Sequence, residues 1–124
     1  MGEERLRAVR GAIQVAANEA VMIEDAVRRL CGELFARNDL INNESAVSIL
    51  FTQTSDLTAM NPATALRKAF PSVCIPLFCM QEPNIVGMLP MTIRVMIQFY
   101  AQKETRIHPV YLDGARGLRP DLLD

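Results

Sequence analysis

Arg94 has the most informative setting of any charged residue in this sequence. It interrupts an uncharged run, Met91 to Tyr100, that alternates in the manner of a β-strand. One face of that strand is apolar and should pack on a core; it carries Met91, Ile93, Val95, Ile97 and Phe99. The other face carries Arg94 among Thr92, Met96, Gln98 and Tyr100. The guanidinium is either solvated, as arginines usually are, or placed to bind an anion.

The other basic residues weakly favour carboxylate binding. Of 13 basic residues only Lys68 and Lys103 are lysines, and the planar fork of arginine suits carboxylates and phosphates. The net charge of −1 gives no long-range field that would gather nucleic acid or an anionic membrane. We therefore expect neither partner, and any recognition of an anion must be local.

Sequence signals for several other chemistries are absent. Cys31, Cys74, Cys79 and His108 show no metal-binding spacing, and no glycine-rich phosphate loop or nucleophile elbow occurs. Cys74 and Cys79 lie on one extended segment, too far apart for a disulfide, so free thiols are expected. The N-terminus does not resemble a signal peptide, and no apolar segment approaches the ~20 residues of a membrane span. We expect a cytoplasmic protein without a metal.

The N-terminal part of the sequence predicts a strand and then a long helix. Residues 5–15 alternate, and Gly11 beside Arg10 indicates a close approach to the backbone or a bulge. Asn18 is a candidate N-cap for a helix that extends to about Arg37. The apolar residues at helical spacing are Ile23, Val27, Leu30, Cys31, Leu34 and Phe35.

Further elements follow in short pieces. Residues 46–53 predict a second strand whose apolar face holds Val47, Ile49 and Phe51. Asn61 and Pro62 predict the start of a two-turn helix before Pro71, on which Thr64 and Arg67 can share a face. Residues 72–82 predict a third strand, placed at an edge or bulge by Pro76. Residues 91–100 and 110–112 complete five strands.

These elements predict one α/β (α+β) domain over residues 1–124. It has a five-stranded mixed sheet with one long and one short helix, both on one face. So little helix leaves the second sheet face uncovered in a monomer. Self-association would cover it.

Several short stretches occur in an order and spacing that resemble the monofunctional AroH-type chorismate mutases. They run from Val9-Arg-Gly-Ala12 and Pro62-Ala63 with Arg67, through Cys79-Met-Gln-Glu82 and Ile93-Arg-Val-Met96, to Val110-Tyr-Leu112 and Leu118-Arg-Pro-Asp-Leu122. The resemblance covers about residues 7–122. It implies a homotrimer that forms a pseudo-α/β-barrel, with active sites at the subunit interfaces.

The implied reaction is the intramolecular Claisen rearrangement of chorismate to prephenate in phenylalanine and tyrosine biosynthesis, without a cofactor. A concerted shift forms no covalent intermediate and moves no proton. It is helped by holding the dianion in its reactive conformer and by placing positive charge at the breaking ether bond. Nucleophile and metal motifs would have no role in it.

The resemblance also implies roles for individual residues. Arg94 would donate to the ether oxygen and a carboxylate, Glu82 would accept from the ring hydroxyl, and Arg10 with Tyr111 would hold the side-chain carboxylate. We expect Arg94 to need this oxygen more than an internal salt bridge. Other residues implied to line the pocket or its mouth are Ala63, Thr64, Arg67, Phe78, Cys79, Met80, Gln81 and Arg119.

Some positions depart from the family pattern. Asn61 and Thr64 replace an aromatic residue and a lysine, Phe78 replaces a small residue, and His108-Pro109 replaces an Arg-His pair. Arg10, Glu82, Arg94 and Tyr111 are intact, so activity is expected without a necessarily typical affinity. Two alternatives remain at this point: an imine-deaminase-like trimer that binds small carboxylates, and a non-catalytic trimer that binds metabolites.

Overall fold

The computed structural model describes residues 2–119 and 121. The strands are β1 (Glu4–Gln14), β2 (Ala46–Gln53), β3 (Leu77–Gln81), β4 (Thr92–Gln102) and β5 (Val110–Leu112). The helices are α1 (Ala20–Arg37), α2 (Pro62–Ala69) and a 3-10 turn at Asp113–Gly117. Within the described residues, no helix is long and apolar enough to cross a bilayer.

The five strands form one mixed sheet in the order β3-β2-β4-β1-β5. β4 lies at the centre, antiparallel to both β1 and β2, whereas β3 and β5 run parallel to their neighbours at the two edges. The predicted α/β class, the mixed sheet and the two helices are confirmed.

Both helices contribute to a core on one face of the sheet. The apolar face of β4 is buried there as predicted, with Ile93 and Ile97 fully buried. From α1 the core receives Ile23, Ala26, Val27, Leu30, Cys31 and Leu34, and from α2 Ala63, Ala65 and Leu66. Arg94 therefore lies on the face opposite the helices, because adjacent strand residues point to opposite faces.

The predicted cap of α1 is wrong by one residue. Glu19 is the N-cap and its side chain makes no capping hydrogen bond. The Asn18 side chain instead holds a distant loop: its Oδ1 accepts from the backbone N–H of Thr58 and of Ala59, each at 2.9 Å. By contrast, Asn61 caps α2 as predicted and accepts from the N–H of Ala63 at 2.8 Å.

The third strand is shorter than predicted and begins at Leu77. Before it, the N–H of Cys74 donates to the Asn43 side chain at 2.8 Å, so that it cannot join the β-ladder. Pro76 has no N–H, and its carbonyl accepts from Ile49 at 2.9 Å as pairing begins. Val47 is also exposed, because a register shift between Ala46 and Ser48 displaces it from the predicted face.

Gly11 marks a close approach of two strands, which was one of its two predicted roles. A Cβ at this position would lie 2.8 Å from the Val110 carbonyl oxygen and 3.1 Å from Leu34 Cδ1. The missing side chain therefore lets β5 pair beside β1 over the core.

Candidate active site

The face of the sheet opposite the helices presents two rows of side chains. Strand pairing aligns Met80, Thr52, Arg94, Ala12 and Tyr111 in one row across all five strands. The adjacent row aligns Phe78, Leu50, Met96 and Arg10. Because cross-strand partners point to the same face, residues far apart in the chain converge here.

Arg94 and Glu82 form the centre of the site. The Arg94 Nε–H donates to Glu82 Oε2 at 2.9 Å. The two side chains are 29% and 14% exposed, so the pair is partly shielded from water but still accessible. Arg94 thus has an internal ion pair, and our expectation that it needs a substrate oxygen more than such a pair stays a prediction. The contact uses Nε alone, and among the described residues neither terminal nitrogen of Arg94 has a hydrogen-bond partner.

Glu82 is held at both carboxylate oxygens. Its backbone N–H donates to the Gln53 carbonyl at 2.8 Å, which extends the β2–β3 ladder by one residue. Its Oε1 accepts from the Thr52 hydroxyl at 2.7 Å while Oε2 accepts from Arg94. Thr52 was not predicted as a site residue, although the alternation of β2 could have placed it on the polar face.

Two adjoining cavities open onto this pair. One of about 260 Å³ is lined by Arg10, Leu50, Thr52, Met80, Glu82, Arg94, Val95 and Met96. The other, of about 490 Å³, is lined by Arg10, Glu82, Arg94 and the loop residues Pro83, Ile85, Val86, Gly87 and Met88. The loop residues were also absent from the sequence prediction. Loop conformation carries no periodic signal that would have revealed them.

Arg10 completes a positively charged centre in these cavities. Its side chain is exposed and has no hydrogen bond or ion pair among the described residues. With Arg94 and Glu82 it gives the cavities a formal charge of +1. A flexible cation next to an anchored one suits an anionic ligand with an extended shape.

Tyr111 lies in the same row as Arg94, with Ala12 between them. At ~4.8 Å per strand, their Cα atoms are about 10 Å apart. Tyr111 is only 3% exposed, in a small apolar cluster with Ala12, Ala115, Leu89 and Leu118. Its hydroxyl has no hydrogen-bond partner in the described part of the chain, and a buried hydroxyl without a partner is costly.

Cys79 and Gln81 do not join the Arg94 cavities within one chain. Cys79 pairs with Phe51 on the helix-covered face, and its Sγ donates to Gln53 Oε1 at 2.8 Å. Cys79 and Gln81 line a separate cavity of about 380 Å³. Burial raises the pKa of the Cys79 thiol, which disfavours a thiolate. All three cysteines are free, as predicted.

The remaining predicted residues lie elsewhere. Phe78 and Met80 are on the Arg94 face and are exposed, Phe78 by 61%. Ala63 is buried in the helix layer, and Thr64 and Arg67 are exposed on the same helix α2. Arg119 pairs with Asp121 at 3.0 Å, while Pro120 and Leu122 of the same motif lie outside the described residues. One chain therefore does not gather all the predicted residues.

The described residues contain no group of three or more His, Cys, Asp and Glu side chains placed to hold a metal. What the cavities offer is cationic donors fixed on a sheet. Such an arrangement can orient an anion and stabilise negative charge that develops on an oxygen.

Comparison with known proteins gives a consistent result. The model of the family "Chorismate mutase type I" matches residues 6–122. A chorismate mutase of Thermus thermophilus is 35% identical over 118 residues, which is 94% of this chain and 96% of that protein. One of Bacillus subtilis (strain 168) is 33% identical over 118 residues, which is 94% of this chain and 92% of that protein.

A solved structure agrees with the sequence comparisons. The chorismate mutase from Clostridium thermocellum has a TM-score of 0.79 and 35% sequence identity, covering 89% of this chain and 97% of that one. Sequence and fold thus identify the same group of proteins. This chain belongs to the type I chorismate mutase family.

Proposed function

We propose that this protein is an isomerase that converts chorismate to prephenate at the Arg94 face of its sheet. The observation that carries the proposal is the anchored guanidinium of Arg94, which lines the cavities. Its Nε–H donates to Glu82, and its terminal nitrogens have no hydrogen-bond partner among the described residues. Family membership supplies the substrate. The proteins matched above are all named as chorismate mutases, which lends no support to the deaminase or non-catalytic alternatives.

In the proposed mechanism, the protein acts by positioning and charge. Arg94 donates to the ether oxygen as the C–O bond breaks, and to a substrate carboxylate. Loss of one preorganised donor to a developing oxyanion costs about 3–4 kcal/mol of transition-state stabilisation, and a full charge can contribute more. Arg10 binds a carboxylate, and Glu82 has lone pairs left to accept from the ring hydroxyl.

Tyr111 has a proposed role that depends on its buried hydroxyl. A carboxylate of the substrate would supply the hydrogen-bond acceptor that this group lacks among the described residues. Leu89 and Leu118 pack against the cluster that contains Tyr111, and we propose that they move aside when the substrate enters.

We also propose that a second subunit completes the site in a homotrimer. A dianionic substrate calls for more positive charge than the +1 of one chain's cavities. Arg67 lies in the helix layer, on the opposite side of the sheet from Arg94, and can reach such a site only from a neighbouring chain. Exposed apolar side chains on the Arg94 face, including Leu6, Phe78, Met80 and Tyr100, would be covered by this contact.

Hybrid oligomers test the shared site. Arg94→Ala and Arg67→Ala proteins are each expected to have low activity. If each site takes these arginines from different chains, random mixing restores both to about a quarter of the sites. Recovery of activity on mixing, with a trimer mass by light scattering, is the expected result. Mixing without recovery, although the chains exchange, would exclude a site shared in this way.

Conversion itself is tested by following chorismate and product by NMR with purified protein. Disappearance of chorismate with equal formation of prephenate is expected. Unchanged chorismate at micromolar protein would refute the proposed activity. The free thiols also fit a cytoplasmic setting, which we include in the proposal.

A further inference from the structure

We infer that Thr52 is a positioning residue for this reaction, whose hydroxyl fixes Glu82 so that Glu82 aims the guanidinium of Arg94. The inference rests on the proposed function for its effect on rate. Its structural basis is a chain of two hydrogen bonds on the face of the sheet that the helices leave open.

The strand register places Thr52 directly beside Arg94. The two residues are paired across β2 and β4, and Thr52 is paired with Met80 on β3. Paired side chains on one face have Cβ atoms about 5 Å apart. Glu82 continues β3 by one bond to β2, and its side chain returns over Thr52 and Arg94. Thr52 is thus part of the sheet beneath the ion pair.

The two bonds fix the plane of the Glu82 carboxylate. Thr52 donates to Oε1 at 2.7 Å and Arg94 donates to Oε2 at 2.9 Å. A carboxylate held at one oxygen can rotate about its terminal torsion, which is a broad one. Held at both, it presents Oε2 in one direction. The Arg94 Nε–H follows that direction, and the two terminal nitrogens are left for a ligand in the cavities.

Thr52 is suited to this task because its hydroxyl is short and lies on a rigid strand. A β-branched residue has restricted χ1 freedom, so the oxygen stays close to one position. Side chains with locked rotamers give the small positional errors that an electrostatic site needs. An error of about 1 Å in a reacting group can lower a rate by about 100-fold.

Ser48 provides a matched control on the same strand. It lies on the same face of β2, and its hydroxyl donates to Gln98 Oε1 at 2.8 Å. Like Thr52, Ser48 therefore donates its hydroxyl to another side chain. Its acceptor lies on β4, and it makes no hydrogen bond to Glu82 or Arg94. A general effect of losing a hydroxyl from β2 would appear equally in Ser48→Ala.

The test compares Thr52→Val, Thr52→Ser and Ser48→Ala by steady-state kinetics and thermal unfolding. Thr52→Val keeps the shape and removes the hydroxyl; we expect kcat to fall about 10- to 100-fold, with a smaller change in KM. Thr52→Ser and Ser48→Ala should stay within about two-fold of the original kcat. The inference would be overturned if Thr52→Val kept its full kcat. It would also be overturned if Thr52→Ser were as slow as a slow Thr52→Val protein.

A second readout does not depend on turnover. In NMR spectra of the full chain, the Arg94 Nε–H signal should be protected from solvent exchange, lose protection in Thr52→Val and keep it in Thr52→Ser. Equal protection in the Val variant would contradict the positioning role even if chorismate were not the substrate. If the original protein leaves chorismate unchanged while this pattern appears, the proposed function is wrong and the positioning of Arg94 by Thr52 stands.

Discussion

Glu82 contacts Arg94 at the side of its guanidinium and not at its tip: the bond joins Oε2 to Nε at 2.9 Å. A tip-to-tip pair would occupy the nitrogens that form the forked donor set. The side-on pair leaves the terminal nitrogens of Arg94 available to a ligand and restricts the movement of the Arg94 side chain in the cavity. The ion pair and ligand binding are therefore compatible.

The side-on pair predicts non-additive mutations. Glu82→Gln should lower kcat about 10- to 100-fold, because Arg94 loses its charged anchor. Thr52→Val in the Glu82→Gln background should cost little more, since both changes disturb one unit. The kcat values of the four proteins provide the measurement. Strictly multiplicative effects would mean that Thr52 and Glu82 act independently.

The glycine at the β1–β5 contact predicts a local stability effect. Gly11→Ala places a methyl group 2.8 Å from the Val110 carbonyl oxygen, and backbone cannot move as a flexible side chain can. We expect the free energy of unfolding to fall by about 1–3 kcal/mol, together with lower activity as β5 and Tyr111 shift. A Cβ at Gly117 would have no atom of the described residues within 4 Å, so Gly117→Ala should change stability by less than about 0.5 kcal/mol. Equal denaturant midpoints for the two variants would contradict this account.

The Arg29–Asp113 pair predicts a pH-dependent stability. Two bonds, at 2.8 and 3.1 Å, join α1 to the turn after β5, and the hydrogen bond from Arg29 holds the pKa of Asp113 below its usual value. A lowered folded-state pKa gives stability that is present above the unfolded value of about 3.9 and lost as the pH falls through the folded value.

Arg29→Gln should therefore lower the free energy of unfolding by about 0.2–1 kcal/mol at neutral pH, as is usual for an exposed pair. The difference from the original protein should shrink below about pH 4. Asp113→Asn is the matched control, since Asn also tolerates the positive φ of 53° at this position. In the Asp113→Asn background, Arg29→Gln should have no pH-dependent effect on the free energy of unfolding. A pH-dependent effect that persists in this background would come from other groups.

The Asp56 carboxylate should stabilise the backbone at the start of β4. Met91 has a φ of 54°, uncommon for a side chain of this size, and its N–H donates to the Asp56 carboxylate at 3.0 and 3.2 Å. Asp56→Ala should lower the free energy of unfolding by about 1–3 kcal/mol. Asp39→Ala, at an exposed turn, should change it by less than about 0.5 kcal/mol. Chemical denaturation of the two variants measures the difference. Similar losses in the free energy of unfolding would show that the bonds from Met91 to Asp56 do not stabilise the fold.

The sequence predicted best where burial alone decides. Alternation in β4 placed Ile93 and Arg94 on the correct faces, because a slip of one residue would expose the core. Cys79 pairs with Phe51 on the helix-covered face, and the pocket role that the resemblance implies for it stays a prediction. Strand order could not be read, so the meeting of Thr52 with Glu82 and Arg94 was not foreseen. Asn18 was misjudged because a distant loop competes for its side chain.

The catalytic role of Arg94 is tested by the rate at which chorismate absorbance disappears with the original protein, Arg94→Ala and Arg106→Ala. Arg106 is an exposed arginine away from the Arg94 cavities and serves as the control. We predict a kcat reduced by about 100- to 1000-fold in Arg94→Ala, corresponding to about 2.7–4 kcal/mol, and an unchanged kcat in Arg106→Ala, with both variants folded by circular dichroism. An Arg94→Ala protein that keeps its full rate would contradict the assignment of the reaction to this arginine.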